Sequence, residues 1–402
     1  MIKRTLTLIM LAYMISSCEA QQTEDTRLIF GQERISHAKE QKIDSIINDA
    51  IMQHAMPGCR ILAAKNRRVI LNKSYGYLDY DSIKPVNDST LYDLASVTKM
   101  AASALLMMKL YDDGKIDLDL PLTTYFKGIY DNGATLRDAL AHQAGFKPWL
   151  DLRRREKEIA MQVAEGSKSY NAAKARKAII KNIVDEPLNE KGTYQYSDLG
   201  FFLYPLFAKK LYNQDFEDFL DSRFYHPLGI SPMFCPLRKH AIDNIAPTEN
   251  DTIWRKRIVR GTVHDEGAAM MGGISGHAGL FARAEDMAIL MQMLLNNGEY
   301  GDIKLLKAET VKLFTSQAFE GNRRGLVFDK QLLDTAINGT PSKMASMQSF
   351  GHTGFTGTFV WADPQNNLIL VFLCNSPYPN RGTMLSKLNV RTQIHDILYQ
   401  ED

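Results

Sequence analysis

Two hairpin signals at opposite ends of the chain restrict its fold more than any other feature. Near the start, the β-rich runs 59–64 and 69–75 flank the polar turn Lys65-Asn66-Arg67-Arg68. Near the end, runs 356–362 and 368–374 flank Asp363-Pro364-Gln365-Asn366-Asn367, a cluster of turn formers. Such pairs read as antiparallel hairpins. Ahead of the first, Ile43, Ile46, Ile47, Ala50 and Ile51 recur at helical spacing and stop before Pro57-Gly58. Behind the second, a terminal helix is expected over 386–399. The pattern between is mostly helical, at 96–112, 136–142, 171–184, 201–212 and 284–296. Helix and hairpin at each end imply one α/β (α+β) fold: an antiparallel sheet built from both chain ends, with an inserted helical subdomain over roughly 96–265. The length of 402 residues also suits two or three units, but one large unit with an insertion fits equally well.

The first residues have a separate logic. Lys3 and Arg4 precede an apolar run, 6–15, too short to span a bilayer. It reads as the core of a signal peptide. The run ends Ile15-Ser16-Ser17-Cys18, which resembles a bacterial lipobox. Residues 1–17 are therefore expected to be removed and Cys18 to carry lipid, an ordinary secretory signal being the alternative. Residues 18–35 are mostly polar and read as a tether, and 36–402 as the folded domain. Lys+Arg 48 against Asp+Glu 46 leaves no net field to recruit nucleic acid. Cys59, Cys235 and Cys374 are odd in number and far apart, so neither a disulfide framework nor a metal site is implied.

Nucleotide and zinc-hydrolase motifs are missing, which leaves nucleophilic catalysis, and no cofactor is expected. Ser-x-x-Lys occurs twice, at Ser36/Lys39 and Ser96/Lys99. Ser36 lies in a polar stretch and is expected to cap the first helix. Ser96 opens a run of alanine, leucine and methionine that must be a buried helix, which puts its hydroxyl near unpaired N–H groups. Lys99 follows one turn later on the same side, where desolvation favours a usable base. The plain alternative keeps Ser96 as a cap and Lys99 as a surface residue. Two loops bear on the choice. Tyr194-Gln195-Tyr196-Ser197-Asp198 offers a phenol and a carboxylate, and Gly351-His352-Thr353-Gly354-Phe355-Thr356-Gly357 leads into a strand whose glycines admit close approach. His264-Asp265 reads as a structural pair, His277 as packing, and Ser275 lacks the context of a nucleophile elbow. Arg153-Arg154-Arg155, followed by Glu156 and Glu158, reads as a solvated helix face.

Ser96-Val97-Thr98-Lys99, Tyr196-Ser197-Asp198 and His352-Thr353-Gly354, in that order, resemble the motifs of the penicillin-recognising serine hydrolases. These are the class C β-lactamases, D-alanyl-D-alanine carboxypeptidases, D-aminopeptidases and related esterases. The stretches 91–95, 136–145 and 276–281 are similar too, closest in feel to the β-lactamase-like modules that accompany bacterial β-N-acetylglucosaminidases. The resemblance implies Ser96 as nucleophile and Lys99 and Tyr196 sharing proton transfer. It implies an oxyanion hole from the N–H groups of Ser96 and Phe355, and Asp198, His352, Thr353 and Gly354 at the substrate. Two departures stand out. Asp198 replaces an asparagine and should favour the ammonium form of Lys99, moving the base role to Tyr196. His352 replaces a lysine, so a protonated histidine would have to hold a substrate carboxylate. The expected function is hydrolysis of D-amino-acid-containing wall peptides, or related amides and esters, by a lipid-anchored enzyme of the bacterial envelope. A non-hydrolytic sensor of muropeptides or penicillins is the alternative.

Overall fold

The computed structural model describes residues 25–31, 33–331 and 341–401. The signal segment and Cys18 lie outside them. The two ends of the chain meet in mid-sheet: strand Gly58–Lys65 pairs antiparallel with Arg68–Gly76 on one side and with Leu368–Cys374 on the other. Cys59 sits opposite Cys374 and Lys65 opposite Leu368. Strands Phe359–Asp363, Phe350–Thr353 and Asp329–Lys330 complete six strands, every pairing antiparallel.

The central strands are apolar at almost every position because both faces of the sheet are covered. Side chains alternate between faces along a strand. Cys59, Ile61, Ala63, Leu370 and Phe372 pack with Ile43, Ile47, Ile394 and Ile397 of the terminal helices His37–Met52 and Val390–Tyr399. Leu62, Ala64, Ile369, Val371 and Leu373 join the larger core containing Met287, Leu290 and Met291 of helix Ala284–Leu295. Arg60 points to that second face and is buried. Its guanidinium is accommodated by Ser74 Oγ at 3.1 Å, Asn72 Oδ1 at 2.6 Å and an ion pair with Glu285.

Three expectations are refined. The helix expected over 201–212 is two, Leu199–Leu203 and Pro205–Tyr212, dividing at a proline that has no N–H to continue the ladder. The segment expected as one regular helix from Ser96 starts at Val97, runs through a wide π-helical turn, Lys99–Ala104, and continues as Leu105–Asp112. Such turns recur at functional sites. Residues 25–31, read as tether, lie against the domain. Leu28 is buried with its N–H on Tyr300 Oη at 3.3 Å, and Ile29 bridges Arg68. The small cluster Leu28-Ile29-Phe30 supplies the apolar contact in an otherwise polar stretch.

Candidate active site

Ser96 stands at a strained corner. Strand Tyr92–Asp93 ends in a bend at Ala95, whose φ of 45° is a left-handed value that a residue with a Cβ pays for. Asp93 holds the bend with Oδ1 on the Ala95 N–H at 2.8 Å. The sheet clamps it from the other side: Thr356 Oγ1 donates to Asp93 O at 2.7 Å and Thr358 Oγ1 to Leu94 O at 3.0 Å. Glycine is required at 354 by this approach, since a Cβ there would lie 2.1 Å from Thr358 Oγ1 and 2.5 Å from Leu94 O. The Gly354 loop is thereby pressed against the Ser96 corner. Among the described residues no acceptor takes the backbone N–H of Ser96 or of Phe355.

Lys99 is 0% exposed, so its charge has to be met inside. Nζ donates to Ser96 Oγ at 3.0 Å and to His277 O at 3.2 Å, and ion-pairs with Asp198 Oδ1 at 2.7 Å without hydrogen-bond alignment. Three oxygens around the nitrogen suit an ammonium with its three donors. Burial alone depresses the lysine, but Asp198 and Tyr196 more than offset it and hold Lys99 above its ordinary range. The reading of Lys99 as a surface residue is excluded, and its surroundings favour the ammonium over a lysine kept neutral by desolvation.

Tyr196 lies between cations. Lys99 Nζ is 5.0 Å and the Arg324 guanidinium carbon 5.1 Å from its ring centroid. Burial pushes the phenol up, and the two cations counter only part of that. His142 stacks on the ring at 4.6 Å, and its Nδ1 accepts the Ser197 N–H at 3.1 Å, fixing the loop. Ser197 Oγ donates to Lys147 O at 2.6 Å.

His352 corrects an expectation. It is buried, with Nε2 3.0 Å from Arg324 Nη1 and Nδ1 2.7 Å from Thr353 O. A guanidinium only donates and a carbonyl only accepts, so Nδ1 carries the hydrogen and Nε2 is a bare acceptor. Burial, then Arg324 and Lys99, depress its pKa well below the ordinary value. His352 is neutral and cannot be the cation that meets a carboxylate. The positive charge here belongs to Arg324, buried and paired with Asp329 at 3.3 Å. No motif marks Arg324 in the sequence, because it reaches the site from a loop far along the chain.

A cleft of about 600 Å³ opens beside Tyr196 and Asp198, walled by Trp149, Phe202, Asp265, Glu266, His277, Phe355 and Arg381. Phe355 is 59% exposed, its ring stacked on His264 at 5.4 Å. His264 and Asp265 do not pair with each other. His264 Nε2 meets Glu249 at 2.9 Å, while Asp265 Oδ1 meets His277 Nε2 at 2.8 Å and His277 Nδ1 meets Ser275 Oγ at 2.8 Å. Ser275 is wholly buried and is no nucleophile, and His277 uses its carbonyl to hold Lys99. Ser36 heads helix His37–Met52 but makes no side-chain cap bond there. Lys39 donates to Gln400 O at 2.6 Å, on the helical face of the sheet away from the cleft. Among the described residues no cluster of three or more His, Cys, Asp or Glu is arranged to hold a metal.

This fold and arrangement are those of a serine hydrolase of the β-lactamase and penicillin-binding type, and comparison with known proteins agrees. The family model described as Beta-lactamase matches residues 38–391, and the chain belongs to that family. It is 33% identical over 353 residues to the "Putative D-alanyl-D-alanine carboxypeptidase" of Escherichia coli O157:H7, covering 80% of this chain and 79% of the relative. In fold it is similar to a penicillin-binding protein homolog from Caulobacter crescentus, with TM-score 0.67 and 18% identity over 91% of this chain and 99% of that one. It is also similar to the D-amino acid amidase of Ochrobactrum anthropi SV3, with TM-score 0.66 and 17% identity over 90% and 98%.

Proposed function

We propose that this hydrolase works through an acyl-enzyme on Ser96 and acts on D-amino-acid-containing wall peptides and related amides or esters. The observation that carries this is Lys99: a fully buried ammonium placed 3.0 Å from Ser96 Oγ. A cation at that distance lowers the cost of the serine alkoxide. Ser96 Oγ attacks the carbonyl carbon and its proton passes to Tyr196, which gives its own proton to the departing amine or alcohol. Lys99 stays charged throughout, and Tyr196 acts as relay without accumulating as phenolate, whose cost burial raises. The N–H groups of Ser96 and Phe355 take the oxyanion, each such donor being worth roughly 3 kcal/mol in a dry site. Water then repeats the sequence on the acyl-enzyme.

Asp198 narrows the substrate. A carboxylate offers no donor to an acylamido carbonyl but pairs with a free ammonium beside the scissile bond. The name of the Escherichia coli relative and the D-amino acid amidase fold support D-configured substrates. A wall substrate agrees with lipid attachment at Cys18 and an envelope location, periplasmic or surface-facing. Among the described residues no helix is long and apolar enough to cross a membrane. The test is intact-mass detection of acyl adducts after incubation with penicillins, D-Ala-D-Ala peptides, D-amino-acid amides and short esters. Adducts that form on Ser96 and turn over support the enzyme. Ligands that bind without forming an adduct would establish the sensor instead.

A further inference from the structure

A second cavity, of about 420 Å³, lies behind the active-site cleft and shares no lining residue with it. Helix Glu266–Met270 is the partition: Ala269 faces the cavity, whereas Glu266, Gly267 and Met270 face the cleft. The size is ordinary for a small-molecule site. Val163, Leu237 and Val263 make the walls apolar, yet Arg238, Arg255 and Arg257 also line the cavity and no acidic side chain does. Arg238 is engaged by Glu217 at 2.7 Å and Arg257 stands at the exposed rim.

Arg255 is the anomaly. It is 5% exposed, stacks on Trp254 at 4.7 Å and donates Nη2 to His264 O at 2.9 Å. Among the described residues no carboxylate forms an ion pair with it. Burial lowers its affinity for the proton, and the more distant Glu266, Asp251 and Asp265 compensate only in part. A guanidinium remains charged regardless, and a buried charge calls for a counter-charge.

We propose that this cavity binds a monocarboxylate with an apolar body, the carboxylate on Arg255 and the body against Val163, Leu237 and Val263. Arg255 also contacts the backbone of His264, whose ring supports Phe355, so the site lies one residue from the cleft.

Cys235 provides a local reporter. It lines the cavity and is partly exposed, whereas Cys59 and Cys374 are buried. In the full chain, octanoate at millimolar concentration should slow maleimide labelling of Cys235, read by peptide mass at mildly alkaline pH, by fivefold or more. Octanamide, isosteric but neutral, should change it less than twofold. Arg255→Gln should remove the protection by octanoate. Ala269→Leu, which takes volume from the cavity and leaves every arginine in place, should weaken it if the first variant does not fold. Equal protection by acid and amide, protection that survives Arg255→Gln, or no protection by octanoate would each overturn the proposal.

Discussion

Ser36/Lys39 and Ser96/Lys99 have the same spacing and opposite meanings. Both serines stand at helix starts. Ser36 precedes a helix with one solvated face, in ordinary extended backbone with φ −57° and ψ 148°, and its lysine reaches a terminal carbonyl. Ser96 follows a left-handed Ala95, heads a helix buried on every side from Val97 to Met108, and its lysine is surrounded by Ser96, Asp198 and the carbonyl of His277. The spacing brings hydroxyl and amine onto one side of a helix in both places. In the proposed mechanism only burial gives the amine its catalytic weight, because an interaction between charges strengthens as water is excluded.

The comparison breaks most directly at the serines. Ser96→Ala should abolish acyl adducts, a loss of at least ~10³-fold in acylation rate, while Ser36→Ala leaves adduct formation and stability unchanged within ~0.5 kcal/mol. Adducts that survive in Ser96→Ala, seen by intact mass, would refute the assignment.

The lysines follow. Lys99→Met should cut kcat/KM by about 10²–10³-fold, the range for removing one group that stabilises developing negative charge. It should also destabilise by ~2–3 kcal/mol, less than for a wholly buried pair because the Asp198 side chain keeps 29% exposure. Lys39→Met should cost under ~1 kcal/mol in denaturant melts and nothing in turnover.

Asp198 has no counterpart beside Lys39, and its replacement sharpens the contrast. Asp198→Asn should raise acylation by benzylpenicillin and lower turnover of D-amino-acid amides with a free amine, about tenfold each way for ~1.4 kcal/mol. Parallel changes for both substrates would leave Asp198 as a partner of Lys99 alone.

The fourth test is pH. His142, His352 and His395 are buried neutral, burial being the first cause in each, with His395 lowered to about 3. Unfolding lets them bind protons near 6.5, so their contribution is fully present above that pH and is lost as pH falls below it, that of His395 toward about 3. The melting temperature should fall through that window. Turnover of carboxylate substrates should show no loss as pH rises through 6.5, because the charge beside His352 is Arg324. Such a loss, absent for neutral esters, would restore a cationic His352.

Smallest is Ala95→Gly. Relief of left-handed strain and the added freedom of the unfolded chain oppose each other at ~1 kcal/mol each. Stability should shift by less than ~1 kcal/mol, with Ser96 still acylated.

Local chemistry made much of this molecule readable in advance. The hairpins 59–75 and 356–374 follow from β-rich runs around turn formers. The helix after Ser96 follows from its largely apolar run, and the order of the three motifs singled out Ser96, Lys99 and Tyr196, which the structure brings together. The opposition of Asp198 to Lys99 was also legible, since a carboxylate in the third position of the Tyr-x-Asn motif comes to the lysine of the first. The tertiary structure decided the rest. Arg324 met His352 only when a loop 28 residues upstream folded across the strand, and burial together with that contact keeps the histidine neutral. His264 found Glu249 instead of its neighbour Asp265, and Asp265 found His277. Charge state and partnership depend on what lies within a few ångströms in space. Residue type and periodicity specify a side chain's chemistry and the face it occupies, but not which distant charges will share its low-dielectric surroundings.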